Sequence, residues 1–212
     1  TALPYTRRPR GAARPMSQGA NPFSDLGCLE ALRLCGRFLL RAVHDPADRE
    51  ARGQMLYAAT LAGLAFGNAG VHVPHAMAYA VGALHPRCQL DGYPPERPLL
   101  PHGLSVILSA PAALRFTAAA CPERHREAAL ALGASPADAR AAADDPGALL
   151  HQQLLRLLRA SALPCGRRAV GYGADAVPAL AEGALLQARL LGNAPRAVDR
   201  AALLGLFAAA LD

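Results

Sequence analysis

His75 and His102 are the residues whose type and setting best equip them for chemistry. His75 lies in VHVPHAMAYAVGAL and His102 in LLPHGLSVILS, both strongly apolar. Each is followed by a small residue, Ala76 or Gly103, that lets another group come close to the imidazole. Imidazoles in apolar surroundings need partners, and a cluster of them points to a ligand or a metal. If a helix opens after Pro101, His102 sits in its first turn, where the helix dipole disfavours imidazolium and keeps the ring neutral, as metal ligation requires. Spacing alone is a weak signal, and a hydrogen-bonded core histidine is the bland alternative at both positions. A catalytic divalent ion typically takes three or more protein ligands, so two imidazoles fall short of a complete site. Asp91 and His72 are nearby in sequence but lack supporting spacing, and the chain starts at Thr1 rather than Met, so further ligands are expected from an upstream segment.

The other polar groups divide into two sets. His44, His125 and His151 stand among Asp, Glu, Arg or Gln and are expected on solvated helix faces, while His85 opens a proline-rich loop. Asn68, His72 and Tyr79 share the apolar segment around His75, and polar groups buried so close together need partners. His72, one turn before His75, is read as a residue supporting His75 or touching substrate, with a satisfied buried histidine as the alternative. A helix across this segment puts His75 and Tyr79 on one face.

The elements that carry these residues read as helices. Residues 1–22 contain Pro4, Pro9, Pro15 and Pro22 with Gly11 and Gly19 and form an irregular strap, and residues 23–212 form one helical domain. Ser24 is the expected N-cap of a helix carrying Leu29, Leu32, Cys35, Phe38 and Leu39 on one stripe. Asp45 and Pro46 are expected to open a second helix running to about Phe66, broken at Gly67 to Gly70, with a third resuming at Pro74. Residues 85–101 form a long proline-rich excursion. Beyond it CPERHREAALALG, SPADARAAADD and DPGALLHQQLLRLLRASAL each place a cap before a proline and open helices. GADAVPALAEGALLQARLLGN and APRAVDRAALLGLFAAALD follow, with Gly192 and Asn193 as a stop. No stretch alternates as a strand, so the fold expected is all-α, a bundle of seven to nine helices.

Composition removes several classes of function. With 52% hydrophobic residues, 18% charged and no Trp among 212, the chain is neither disordered nor a disulfide miniprotein. The net charge of +6 comes from arginines scattered along a chain that has no Lys, without interleaved aromatics, which argues against nucleic-acid binding. The five cysteines include no CxxC pair and are read as reduced thiols. Residues 55–84 carry no Asp, Glu, Lys or Arg, yet Asn68, His72, Pro74 and His75 interrupt them, so two buried helices and a turn are expected rather than a membrane span.

The segments GLAFGNAGVHVPHAMAYAVGAL and LLPHGLSVILSAPAALRFTAAACPERH, together with ANPFSDLGCLEALRL and AVGYGADAVPALAEG, resemble the C-terminal half of the iron-containing, group III alcohol dehydrogenases. The resemblance spans nearly the whole chain and is closest to the family's transhydrogenase branch, mitochondrial enzymes of animals. It implies the helical domain of that family, with His75 and His102 as two metal ligands. An Asp and a His four residues apart, and an α/β domain with a Gly-Gly-Gly-Ser turn for the dinucleotide, would lie upstream of Thr1. Many family dehydrogenases have histidine where this chain has Tyr79, which leaves Tyr79 as a polar pocket residue in place of a proton relay.

The resemblance further implies a divalent metal, iron with zinc as the alternative, and a tightly bound NAD(H) in the complete enzyme. The implied reaction couples oxidation of 4-hydroxybutyrate to succinate semialdehyde with reduction of 2-oxoglutarate to D-2-hydroxyglutarate. An Arg, or N–H groups of the turn at Gly67 to Gly70, would face the substrate carboxylates. The residues present are expected to be inactive alone. The alternatives are an NAD-dependent dehydrogenase of the same family and a noncatalytic helical interaction protein, with a homo-oligomer left open.

Overall fold

The structure is a computed structural model that describes Ser17, residues 19–84, Glu96 and residues 100–212. Among the described residues there are eleven α-helices, two short 3₁₀ turns and no strand. The all-α expectation holds, and the count exceeds seven to nine because several elements are very short, α10 (Ala188–Leu191) being one turn. Most of the strap expected over residues 1–22 and most of the proline-rich loop, with His85, Cys88 and Asp91, lie outside the described residues.

Local chemistry sets the helix ends, and it moves two of them from where they were expected. Helix α1 (Pro22–His44) starts earlier than Ser24, because Asn21 is the N-cap and Pro22 takes the first helical position. Asn21 Oδ1 accepts from Ser24 N and Ser24 Oγ accepts from Asn21 N, each at 3.0 Å, so Ser24 closes the box instead of capping alone. Helix α2 (Arg49–Ala69) is capped by Asp48, whose carboxylate accepts from Ala51 N at 2.9 Å. Asp45 ends α1 by donating its N–H to Arg41 O. Arg41 then pairs with both Asp48 and Glu50, tying the α1 end to the α2 start. The two helices pack along their length, with Gly27 against Ala65 closely enough that a Cβ would stand 2.8 Å from the alanine methyl.

Helix α2 runs through Gly67, past the expected stop at Phe66, and breaks at Gly70, whose φ of +84° suits a residue without a side chain. Helix α3 (Val73–Ala83) leaves at 104° to α2. No single described helix is long and apolar enough to cross a membrane; α2 and α3 reach that composition only together, across this bend.

Helices α4 (His102–Ile107) and α5 (Ala110–Ala118) follow, and α6 (Pro122–Ala131), α7 (Pro136–Ala141) and α8 (Pro146–Ala160) open at Cys121, Ser135 and Asp145, each before a proline as expected. The single helix expected over GADAVPALAEGALLQARLLGN is divided into α9 (Val177–Leu185) and α10, and α11 (Arg200–Ala209) is capped by Asp199. Two apolar clusters hold the bundle together. Val73, Met77, Leu108, Leu180, Leu203 and Phe207 join α3, α4, α9 and α11; Ala129, Leu132, Leu149, Leu150 and Leu154 join α6 to α8, and Ile107 touches both. Burying each large side chain contributes about 1.5–3 kcal/mol, so α3 is anchored firmly by one face and leaves the opposite face for the site.

Candidate metal centre

The first turn of α3 hangs from His72, whose carbonyl accepts from His75 N at 3.0 Å and Ala76 N at 3.1 Å. Val73, Met77, Ala80 and Val81 face the core, each at most 3% exposed. At i and i+4, His75 and Tyr79 share the other face. Helix α4 delivers the third ring, since Pro101 directs the chain into a helix whose first residue is His102. The His75 and His102 ring centroids are 5.4 Å apart with planes tilted 59°, and Tyr79 lies 5.7 Å from His102 at 42°. His75 is half-buried, while His102 and Tyr79 are exposed.

Burial lowers the His75 pKa below the usual histidine value, with His102 as a second cause. The ring is therefore neutral at physiological pH, with a lone pair to give. Two imidazoles bound to one ion at about 2.0–2.1 Å hold their ring centres roughly 5 Å apart, and the observed 5.4 Å agrees with that. The pair fits as part of a divalent-ion site. No group of three or more metal-ligating side chains occurs among the described residues, so these two do not complete the site.

His72 does not join them as a third ligand. It lines a cleft of about 290 Å³ with Leu32, Ile107, Thr117, Cys121 and His125, and its Nδ1 is buried without a hydrogen-bond partner. Burial pushes its pKa down to about 3. A support through a hydrogen bond from that nitrogen to His75 is therefore absent.

His125 corrects the expectation of a solvated position. It is 6% exposed, its Nε2 is 3.0 Å from Thr117 Oγ1, and its Nδ1 is 2.9 Å from Cys121 O. Its charged neighbours Glu123, Arg124 and Arg126 occupy the same helix, but His125 faces inward. His44 is exposed as expected and reaches Ala160 O at 2.8 Å. The turn at Gly67 to Gly70 does not offer the row of N–H donors expected of it, because it is helical through Ala69 and Gly70 N is bonded to Phe66 O at 2.6 Å.

One residue near the site was expected only to stop a helix. Asn193, 5% exposed, directs its amide to Ala69 O and Val71 O, beside the turn that precedes His72 and His75. An Asn following Gly at a helix end is an ordinary stop signal, and nothing in its neighbourhood in sequence points to the turn it reaches.

The helical architecture and the grouping of His75, His102 and Tyr79 coincide with a match over residues 15–211 to the C-terminal domain of the Fe-containing alcohol dehydrogenase family. The chain belongs to that family. It is 43% identical over its whole length to the mitochondrial hydroxyacid-oxoacid transhydrogenase of Xenopus laevis and 41% identical to that of Homo sapiens. In each case it spans 46% of the relative, so about half the length of the curated relatives it matches. Among solved structures, it superposes on a 1,3-propanediol oxidoreductase at a TM-score of 0.76 with 30% identity, covering 92% of this chain and 47% of that one. The alcohol dehydrogenase from Oenococcus oeni gives 0.77 with 27% identity over the same shares.

Proposed function

We propose that this chain is the helical metal-binding part, residues 23–212, of a mitochondrial hydroxyacid-oxoacid transhydrogenase. The observation that carries the reading is the approach of the His75 and His102 imidazoles beside Tyr79, in a chain whose full length is similar to such enzymes. The substrates are a small hydroxy acid and a small oxo acid. 4-Hydroxybutyrate is oxidised to succinate semialdehyde as 2-oxoglutarate is reduced to D-2-hydroxyglutarate; a tightly held NAD(H), when bound, would supply the hydride chemistry that couples the two.

His75 and His102 hold a divalent ion, iron or zinc, together with ligands from outside the described residues. When bound, the ion supplies Lewis-acid polarisation of the hydroxyl or keto oxygen, the chemistry such a hydride exchange needs. His75 is suited to its part because burial keeps it neutral and the α3 packing holds its backbone still. Tyr79 is close enough to His102 to share the pocket, and its phenol offers a substrate oxygen a hydrogen bond without a histidine's proton relay. The described residues contain no strand, and so no strand–turn–helix cradle for the dinucleotide pyrophosphate.

A plain dehydrogenase is the second reading, favoured by the alcohol dehydrogenases among the similar solved structures. Supplying 4-hydroxybutyrate and 2-oxoglutarate to the complete enzyme without free nucleotide separates the two. The transhydrogenase yields succinate semialdehyde and D-2-hydroxyglutarate in equal amounts, and added NAD does not accelerate it. A strict requirement for added NAD establishes the dehydrogenase instead.

A further inference from the structure

Asn193 follows α10, far from the metal pair in sequence, yet its side chain ends at the α2–α3 turn. Nδ2 donates to Ala69 O at 3.2 Å and to Val71 O at 3.3 Å. An amide nitrogen has two protons, so this one group satisfies both carbonyls flanking Gly70. Gly70 makes the approach possible: a Cβ there would stand 2.7 Å from Nδ2, inside any real contact, and its φ of +84° turns the chain toward α3. Gly19 N adds a bond to Ala69 O at 3.0 Å.

The residue immediately after the clamped Val71 is His72, whose carbonyl receives the first two N–H groups of α3, from His75 and Ala76. The orientation of the peptide at 71 thus passes through one covalent step and one hydrogen-bonded turn to the backbone of His75. The Val71 carbonyl lies outside the helical ladders of α2 and α3, so no helical hydrogen bond fixes it.

We propose that Asn193 is a positioning residue for the metal pair: by clamping the Ala69 and Val71 carbonyls it sets the angle at which α3 leaves α2, and with it the place of the His75 ring relative to His102. The inference rests on His75 and His102 being metal ligands. Groups that orient ligands from behind are worth about 10- to 100-fold in metal affinity.

The test uses Cu(II)–iminodiacetate as probe, because copper binds imidazole most strongly among the divalent first-row ions and the chelate fills its other positions, leaving places for two rings. Affinity is titrated, and electron paramagnetic resonance reports whether one or two imidazole nitrogens are bound. Asn193→Leu keeps the branched shape and removes both donors; Leu149→Ala, in the α6–α8 cluster and not in the one that anchors α3, serves as the control for general destabilisation. All are measured at a temperature where circular dichroism shows them folded.

The expected result is an affinity reduced about tenfold or more in Asn193→Leu, with the two-nitrogen signature weakened, and no change in Leu149→Ala. If Asn193→Leu fails to fold, Asn193→Ser, which donates one bond at most, is expected to lower the affinity in the same direction. Parent-like binding by the folded Asn193 variant, with His75→Ala losing the probe, overturns the positioning role alone. If His75→Ala also binds as the parent does, the metal assignment falls and the role of Asn193 falls with it.

Discussion

The amide of Asn193 occupies the space that a side chain at residue 70 would need, 2.7 Å from where its Cβ would be. The two positions are therefore complementary, one giving up its side chain and the other filling the gap with two donors. Gly70→Ala meets both the unfavourable positive φ and this overlap, and Ser17 crowds the same position. A strained position of this kind costs about 1–3 kcal/mol. Chemical denaturation is expected to show an unfolding free energy lowered by that much; an unchanged value contradicts the reading of the turn.

A second expectation concerns acid. Burial holds His72 neutral down to a pKa of about 3, against an ordinary value of 6.5, and lowers His75 and His125 as well. Below pH 6.5 the unfolded chain takes up protons that the folded chain refuses, so stability falls as pH drops from 6.5 towards 3. Above 6.5 these groups are neutral in both states and contribute no slope. Each fully mismatched site steepens the decline by about 1.4 kcal/mol per pH unit. His72→Leu is expected to flatten the stability curve in that window, as read by urea unfolding at stepped pH. A curve of parent steepness places the acid sensitivity elsewhere.

Arg167 is a charged side chain buried with few partners. It is fully buried, its Nη2 donates to Ser109 Oγ at 2.5 Å, and its guanidinium lies 4.4 Å from the centre of the Phe207 ring. Nε and Nη1 have no partner, and burial pushes the pKa down to about 9, so at neutral pH a cation is held largely desolvated. Removing it leaves the Ser109 hydroxyl with one hydrogen bond, since Ser109 Oγ still donates to Ser105 O at 3.0 Å. Arg167→Met is therefore expected to raise stability by about 1 kcal/mol or more, seen as a higher thermal midpoint. A loss of that size shows instead that the contact with Phe207 outweighs the desolvation.

Much of this architecture was readable from residue types alone. Proline directly after Cys121, Ser135 and Asp145 marks three helix starts, because proline's fixed φ suits a first turn and nowhere else in a helix. The pairing of His75 with Tyr79 follows from their spacing. What escaped depends on choices between close competitors or on distant contacts. Asp45 and Asp48 are both good caps, and the Arg41 pairing with Asp48 and Glu50 accompanies the later start. His125 has a charged neighbourhood in sequence, but the direction of its ring depends on how α6 packs against α5 and α8, which local composition does not encode. Asn193 makes its decisive contacts with Ala69 and Val71, in a part of the chain that no local pattern connects to it.

His75 and His102 acting together as ligands of one divalent ion is the claim on which the rest depends. Elemental analysis of the purified complete enzyme and of its His75→Ala and His102→Ala variants, with far-ultraviolet circular dichroism alongside, tests it. Each substitution is expected to remove most of the bound iron or zinc while the helical signal stays at the parent level. Metal content equal to the parent in either variant contradicts the assignment.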